Sequence, residues 1–248
     1  MSSHSSLNHI YRTVWNQALG ANVAVAEIAS GRGSGGGAAS RGVMTGPSRL
    51  AALPLCIAVA WCAASGVALA NPTGGIVVAG QASIVTTGNS FLVTTQNAAG
   101  TNHSAINWQS FSIPQANTTH FQQPNAASTV INRVVTNTPS QIFGALSSNG
   151  NLVLVNQAGI AVGTGAVVDT AGFTASALRM SDADAQAGSL RFGDGSSLSA
   201  GVSVAGSVLA RSGDVVLLGA TVDTGTAAIV QSPNGSTILA AGQQVELT

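Results

Sequence analysis

Short apolar runs, broken by glycine or asparagine every few residues, most narrowly limit what this chain can fold into. They lie downstream of residue 70, are three to five residues long and are rich in valine. β-Branched residues favour strands, whereas Gly and Asn favour turns. The runs predict an all-β fold, as a sandwich, a barrel or a β-solenoid. They are Ile76–Val78, Ser83–Thr86, Ser90–Thr94, Leu152–Val155, Ala166–Val168 and Val215–Leu218.

Internal sequence repeats favour the β-solenoid over the sandwich and the barrel. Residues 207–210 align with residues 228–231, and residues 216–218 with residues 237–239, each 21 positions on; Val222 aligns with Val245, 23 positions on. The hexapeptide 165–170 recurs as 219–224. A period near 20 predicts one coil of a parallel β-helix, with three short strands and three turns. In that arrangement Val, Ile and Leu stack inward, and Thr, Ser and Asn cover the outer faces.

Charge is scarce and excludes several classes of protein. Only 16 of 248 residues are charged, and all eight basic residues are Arg. Nucleic-acid binding needs clustered Lys and Arg, so no nucleic-acid partner is expected. A P-loop is excluded because its lysine is missing. The exposed faces of surface helices are usually rich in Glu, Lys and Arg, so the scarcity of these residues argues against a helical bundle.

The first 70 residues differ from the rest and indicate export. Residues 50–64 form an apolar run that follows Arg41 and Arg49. The run ends in small residues, so we expect a signal h- and c-region over 50–70, with Ala68 and Ala70 before the cleavage point and Asn71 after it. The alternative, a membrane anchor, needs a run of roughly 20 apolar residues.

Residues 1–49 contain the n-region and an unusual block before it. Asn8-His9-Ile10-Tyr11-Arg12-Thr13-Val14-Trp15 begins this block, which continues to Glu27. It resembles the extended signal-peptide region of large secreted bacterial proteins of the two-partner secretion and autotransporter families. A short amphipathic helix is the alternative, but it does not account for the position of the block upstream of a complete signal.

Residues 71–191 resemble the haemagglutination-activity, or two-partner secretion, domain. The resemblance is carried by residues 105–113, 119–125, 130–134, 138–144 and 148–160, and is nearest to the high-molecular-weight adhesin branch. It implies a right-handed parallel β-helix with an N-terminal cap and extra-helical β elements; residues 192–248 would add further coils. It also implies export by the inner-membrane secretion machinery and recognition by an outer-membrane β-barrel transporter with periplasmic domains.

The family's Asn-Pro-Asn-Gly-Ile secretion motif falls on Asn156, Gln157, Ala158, Gly159 and Ile160. Asn156, Gly159 and Ile160 match, whereas Gln157 and Ala158 depart from the motif. Asn156 and Gly159 are expected to build a β-turn through an Asx hydrogen bond and a permissive φ. The missing Pro would otherwise preset φ in that turn.

Other residues of the resembling segment are candidates for the cap or for recognition. Trp108, Phe111 and Phe121 are expected in the cap core. Arg133 is expected to pair with a carbonyl or carboxylate in the cap, because it is the only charge between residues 71 and 168. The candidate set is Asn107, Trp108, Phe111, Asn132 and Arg133.

Catalysis and metal binding find little support. Downstream of residue 70 the chain has His103 and His120 but no Cys, and Asp169 is the first acid. Asp182 and Asp184 lack the other ligands of a calcium loop, so a solvated loop is expected there. No cofactor and no metal are predicted. A β-helical polysaccharide-active enzyme is the rival class, which would need paired carboxylates on one face.

The sequence thus predicts a non-enzymatic secretion domain whose exoprotein reaches the bacterial cell surface or the medium. Its end use would be adhesion to a glycan or protein receptor, haemagglutination or biofilm attachment. The alternative is an exoprotein that delivers a toxin. Residues 237–248 keep the coil pattern without a Pro, a charge cluster or a helix, so we expect further coils or self-association at this end.

Overall fold

The computed structural model describes residues 71–193 and 200–247, together with the backbone of residues 11–16 and 21–26. Two compact units divide the chain, Met1–Trp61 and Cys62–Thr248. In the first, β1 (Tyr11–Asn16) pairs antiparallel with β2 (Ala21–Ala26). The resembling block therefore forms a hairpin where the alternative was a helix. Ala68 and Ala70 lie outside the described residues.

The second unit is built almost entirely of short strands. In chain order they are β3 (Ile76–Ala79), β4 (Gln81–Thr87), β5 (Ser90–Gln96), β6 (His103–Trp108), β7 (Thr118–Gln122), β8 (Thr129–Val134), β9 (Ser140–Ile142), β10 (Ala145–Ser148), β11 (Asn151–Val155), β12 (Ile160–Val162), β13 (Val167–Thr170), β14 (Gly172–Ser176), β15 (Arg191–Phe192), β16 (Val202–Val204), β17 (Ser207–Ala210), β18 (Val215–Gly219), β19 (Val222–Thr224), β20 (Ile229–Gln231), β21 (Thr237–Ala241) and β22 (Val245–Glu246). One helix, α1 (Asp182–Ala187), interrupts them.

Three parallel sheets form the body. Sheet 1 contains β9, β12, β16 and β19; sheet 2 contains β5, β7, β10, β13, β17 and β20; sheet 3 contains β6, β8, β11, β14, β18 and β21. The chain visits sheets 1, 2 and 3 in turn and then repeats, so each circuit is one coil. This is a parallel β-helix, as predicted. At its N-terminal end β4 pairs antiparallel with β5, and β3 with β6, which forms the cap.

The coil length was predicted correctly, but the register of the last coil was wrong by one residue. Asn151 lies beside Gly172, 21 positions on, whereas Val215 lies beside Thr237 and Ser207 beside Ile229, 22 positions on in each case. The sequence repeat had paired Ser207 with Ala228. Turns of slightly different length separate the strands, so a uniform period cannot give the register.

Two other sequence repeats do not mark equivalent positions. Val222 pairs with Val202, while Val245 leaves the coil and pairs with Phe192 in an antiparallel pair. The hexapeptide 165–170 ends in sheet 2, but its repeat 219–224 ends in sheet 1. Both repeats are a glycine followed by a Val-Asp-Thr strand, which any sheet of the solenoid accepts.

The outer faces of the sheets differ. In sheet 2, buried and exposed residues alternate along β5, as expected for a strand with one wet face. In sheet 3, all five residues of β14 and of β18 are buried. The expectation that polar residues cover every outer face is therefore wrong for sheet 3, whose outer face carries Ile131, Val153 and Val216.

A segment between β14 and β16, residues 177–193, covers this apolar face; we call it the strap. Its helix α1 is capped by the Ser181 side chain, which accepts a 3.0 Å hydrogen bond from the Asp184 amide. The solvated loop expected at Asp182 and Asp184 is thus a capped helix. Phe192 is fully buried, and Arg191 donates a 2.8 Å hydrogen bond to Glu246 of β22. The strap and β22 are the extra-helical β elements that the resemblance implied.

Candidate recognition site at the turn after β11

Asn156 is fully buried and fixes the turn that joins sheet 3 to sheet 1. Its Oδ1 accepts a 2.9 Å hydrogen bond from the Ala158 amide, which closes an Asx turn. Its Nδ2 donates to the Thr138 carbonyl and to Ser140 Oγ, both at 2.9 Å. The side chain therefore closes its own turn and also bonds to the preceding coil.

Gly159 completes the turn. Its amide donates to the Asn156 carbonyl at 3.0 Å, and its φ is +106°, a region that L side chains rarely adopt. Ile160 follows as a buried residue of β12 between Ser140 and Val202. Gln157 is exposed and Ala158 half-buried. The turn thus presents outward the two positions at which this chain departs from the family motif.

Trp108 and Asn132 lie together in the core. The Trp108 indole donates a 2.9 Å hydrogen bond to Asn132 Oδ1, and Asn132 Nδ2 donates to the Val153 carbonyl at 3.4 Å. Phe111 packs edge-on against Trp108 with ring centroids 5.9 Å apart, and Phe121 stacks on Phe111 at 6.2 Å. These side chains have almost no exposed area, so they act on the fold of the N-terminal coils and do not face a partner directly.

Arg133 lies beside Asn107 in sheet 3 and faces the strap. Its guanidinium donates to the Ser181 carbonyl at 3.1 Å and to the Asp182 carboxylate at 2.5 Å. The expected carbonyl and carboxylate partners are present, but they belong to the strap and not to the N-terminal cap. Asn107 Oδ1 is buried and accepts no hydrogen bond from the described residues.

A corner cavity of about 230 Å³ brings two of the candidate regions together. Arg133 and Gln157 both line it, with Thr136, Asn137 and Arg179. The sequence placed Arg133 and Gln157 in separate motifs, 24 positions apart. Parallel pairing of Arg133 with Val155 brings them to one edge of sheet 3.

Sequence reasoning missed a polar row on the outer face of sheet 2. His120, Ser147 and Asp169 are in-register neighbours on β7, β10 and β13. His120 Nδ1 and Ser147 Oγ are 2.8 Å apart, and Arg211 binds both carboxylate oxygens of Asp169. Those two hydrogen bonds hold the pKa of Asp169 below its ordinary value, against the opposing effect of partial burial. The sequence separations between these residues are unequal, so no sequence motif predicts the row.

Asn71, the predicted first residue after cleavage, accepts a 3.1 Å hydrogen bond from Asn117 at its Oδ1.

Among the described residues, no group of three or more His, Cys, Asp or Glu side chains could hold a metal ion. In the same part of the chain, no helix has the length and apolar character needed to cross a membrane.

A parallel β-helix with an N-terminal cap and a strapped outer face makes this chain a β-solenoid protein. Residues 68–248 match the family model of the TPS secretion domain, so the chain belongs to that family. Residues 8–55 match the extended signal peptide of the type V secretion system. The resemblance seen in the sequence is confirmed.

The chain is also similar to solved structures and curated proteins. The crystal structure of the HMW1 secretion domain from Haemophilus influenzae superimposes with a TM-score of 0.63 and 32% identity, over 72% of this chain and 46% of that one. Two Haemophilus influenzae heme/hemopexin-binding proteins are 36% identical over 104 residues and 38% identical over 76 residues, or 42% and 31% of this chain. The match spans about a tenth of each of these relatives, 11% and 8% of their lengths.

The family fixes the cellular role. The chain carries the secretion domain of a two-partner-secreted exoprotein, which is exported and then crosses the outer membrane to the cell surface or the medium. Its partner is an outer-membrane transporter. The family model describes a secretion domain.

Proposed function

We propose that the transporter recognises the turn at residues 156–160 and the corner cavity beside it, before the chain passes through the outer membrane. The transporter is a β-barrel with periplasmic domains, and the inner-membrane secretion machinery delivers the chain to it. The observation that carries the proposal is the turn itself. Five hydrogen bonds made by Asn156, three of them by its side chain, hold the turn in place, while Gln157 is exposed next to Arg133. A rigid, exposed corner is suited to recognition because little order must be gained on binding.

Secretion of turn variants tests this. With the transporter co-produced, we expect Asn156→Ala and Gly159→Val to leave precursor in the periplasm. Asn156→Ala removes the acceptor and the donors that fix the turn, and valine at 159 is strained at a φ of +106°. Gln157→Pro should be secreted at least as well as the parent, because Pro presets φ at the second position of such a turn. Immunoblots of medium and periplasm give the result.

A matched control separates recognition from folding. Asn125 makes an Asx hydrogen bond of the same length, 2.9 Å from the Ala127 amide, in an exposed loop. Asn125→Ala should be secreted normally. Gln157→Arg alters only an exposed side chain and should reduce secretion although the fold is kept. Normal secretion of Gln157→Arg would show that the turn serves folding alone, and normal secretion of both Asn156→Ala and Gly159→Val would remove the motif from recognition.

For the complete exoprotein we propose surface adhesion or biofilm attachment, with a glycan or protein on the opposing surface as receptor. The family resemblance of the leader and the secretion domain together supports this use. The sequence of the complete reading frame provides the test. Long adhesive repeats would agree with attachment, whereas a C-terminal nuclease or other toxin domain would assign the domain to toxin delivery.

A further inference from the structure

The outer face of sheet 2 carries a continuous row of side chains from five successive parallel strands. In register, the row runs Leu92, His120, Ser147, Asp169, Leu209. Arg211 reaches back from the end of β17 to Asp169. Neighbouring strands are about 4.8 Å apart, so the three polar members and Arg211 span roughly 14 Å along the solenoid axis.

A cavity of about 540 Å³ opens over the polar part of this row. Its lining includes His120, Ser147, Asp169, Arg211 and Ser212, together with Ala126 of the loop between β7 and β8. The size falls in the range of small-molecule sites. We call this depression the sheet 2 groove.

The groove offers both donors and acceptors but no net charge. Asp169 supplies carboxylate oxygens, Arg211 supplies N–H groups, and Ser147 and His120 can donate or accept. Asp169 and Arg211 neutralise each other. A strongly anionic or cationic ligand would therefore gain little from this site.

The order of the groups argues for binding and against hydrolysis. In a Ser-His-Asp triad the imidazole lies between the hydroxyl and the carboxylate. Here Ser147 lies between His120 and Asp169, and Arg211 already occupies both carboxylate oxygens. The row has no base held by an acid.

We propose that the sheet 2 groove binds an extended, uncharged oligosaccharide that lies along the solenoid axis. Sugars carry hydroxyls that donate and accept around a ring with apolar faces, and the row places polar groups between two leucines. An extended saccharide advances by about one ring per strand. A peptide adding as a strand is excluded, because β7, β10 and β13 are already paired on both sides. The proposal rests on the role in surface attachment and is independent of transporter recognition.

Calorimetric titration of the secreted protein tests the groove, with cellohexaose, chitohexaose and maltohexaose as probes. We expect at least one to bind, with a 1:1 stoichiometry. Asp169→Asn and His120→Ala should each weaken that binding about tenfold, the usual effect of losing a hydrogen bond to a charged or fixed group. Asp223→Asn removes an exposed carboxylate on sheet 1 and should bind as the parent does.

Each result decides between the alternatives. Failure of all three probes to bind at 10 mM, or binding that survives both groove substitutions, would overturn the proposal. Tighter, salt-dependent binding of a sulfated heparin hexasaccharide would show that the ligand is charged and would overturn it as well. Secretion is measured in the same cultures: groove variants should reach the medium normally, so loss of glycan binding and loss of transporter recognition are distinguished.

Discussion

Two buried asparagines, Asn132 and Asn156, tie neighbouring coils together through their side-chain amides. Each satisfies polar groups that would otherwise be buried without partners, and a buried unpaired group costs about 1–3 kcal/mol. Asn132 matters most for Trp108, whose indole N–H bonds to it. The polar residues inside this solenoid thus specify register as well as stability.

Asn132→Ala should lower the free energy of unfolding by about 2 kcal/mol, because it leaves the Trp108 N–H unpaired and opens a small void. Asn132→Leu with Trp108→Phe removes both polar groups and should recover part of that loss. Urea unfolding of Asn132→Leu, of Trp108→Phe and of the double variant measures the coupling. Strictly additive losses would show that the hydrogen bond contributes nothing.

Asp169 predicts a small dependence of stability on pH. Its pKa is lower in the folded state than in the unfolded chain, because Arg211 donates hydrogen bonds to it. The stabilisation is therefore present above the unfolded pKa and is lost as pH falls through the folded pKa. Asp169→Asn should unfold at slightly lower urea than the parent at pH 7, and the difference should shrink as the pH falls below the ordinary pKa of an Asp side chain. A difference that persists unchanged in acid would show that the ion pair is not its source.

At the scale of elements, the strap explains why sheet 3 is apolar on both faces. Phe192 of β15 is fully buried in the outer cluster with Ile131, Val153 and Leu218. His103 on β6 donates from Nε2 to the Gln186 carbonyl at 2.9 Å, which fastens the helical end of the strap. The strap is also held by the hydrogen bonds that Arg133 donates to Ser181 and Asp182, and by the pairing of β15 with β22.

Phe192→Ala should free the strap while the coils stay folded. The substitution removes a large buried side chain, a change that costs about 3–5 kcal/mol. Hydrogen exchange should become faster in residues 181–192 and 245–247, and β11 should remain protected. Glu246→Gln is the matched control, since an exposed ion pair contributes at most about 1 kcal/mol. Uniformly faster exchange in all coils would mean that strap and solenoid unfold as one unit.

The elements were partly predictable. Apolar runs bounded by Gly and Asn predicted the positions of the strands. The unbroken runs Leu152–Val155 and Val215–Leu218 also indicate strands buried on both faces, because a strand with one solvent-exposed face would alternate apolar and polar residues. The resemblance implied extra-helical β elements, but their place in the chain was not predictable from the residues, because the strand of the strap has two residues and its helix six. The Asn156 turn followed from its residue types, whereas the His120 row depends on unequal coil lengths that only the folded chain reveals.

At the scale of the whole molecule, each coil pairs with the previous one through parallel strands, and paired residues are 20 to 22 positions apart in the sequence. The exceptions are the longer first coils and the coil that contains the strap. Downstream of residue 70 the chain has no cysteine. A covalent link between coils would prevent the chain from straightening, and cysteine pairs oxidise in the periplasm.

Ala145→Cys with Val167→Cys should therefore block secretion under oxidising conditions. These residues are direct neighbours on β10 and β13, at a separation that suits a disulfide. Reductant should restore release, and either single cysteine should be secreted normally. Wild-type release of a verified oxidised form would show that the coil passes the outer membrane folded.

The pairing of β15 with β22 also has a consequence in time. A coil can settle on its finished neighbour as soon as about 20 residues are available, but Arg191 meets Glu246 across 55 residues of chain. The longer closure costs only about 0.9 kcal/mol more in entropy. The pair forms late because β22 lies far along the chain, and not because its closure is unfavourable. Until β22 is available, Phe192 lacks the strand that pairs with it, and the apolar outer face of sheet 3 can contact other apolar surfaces. The β15–β22 pair can therefore form only after the two coils made by β16–β18 and β19–β21 have been added.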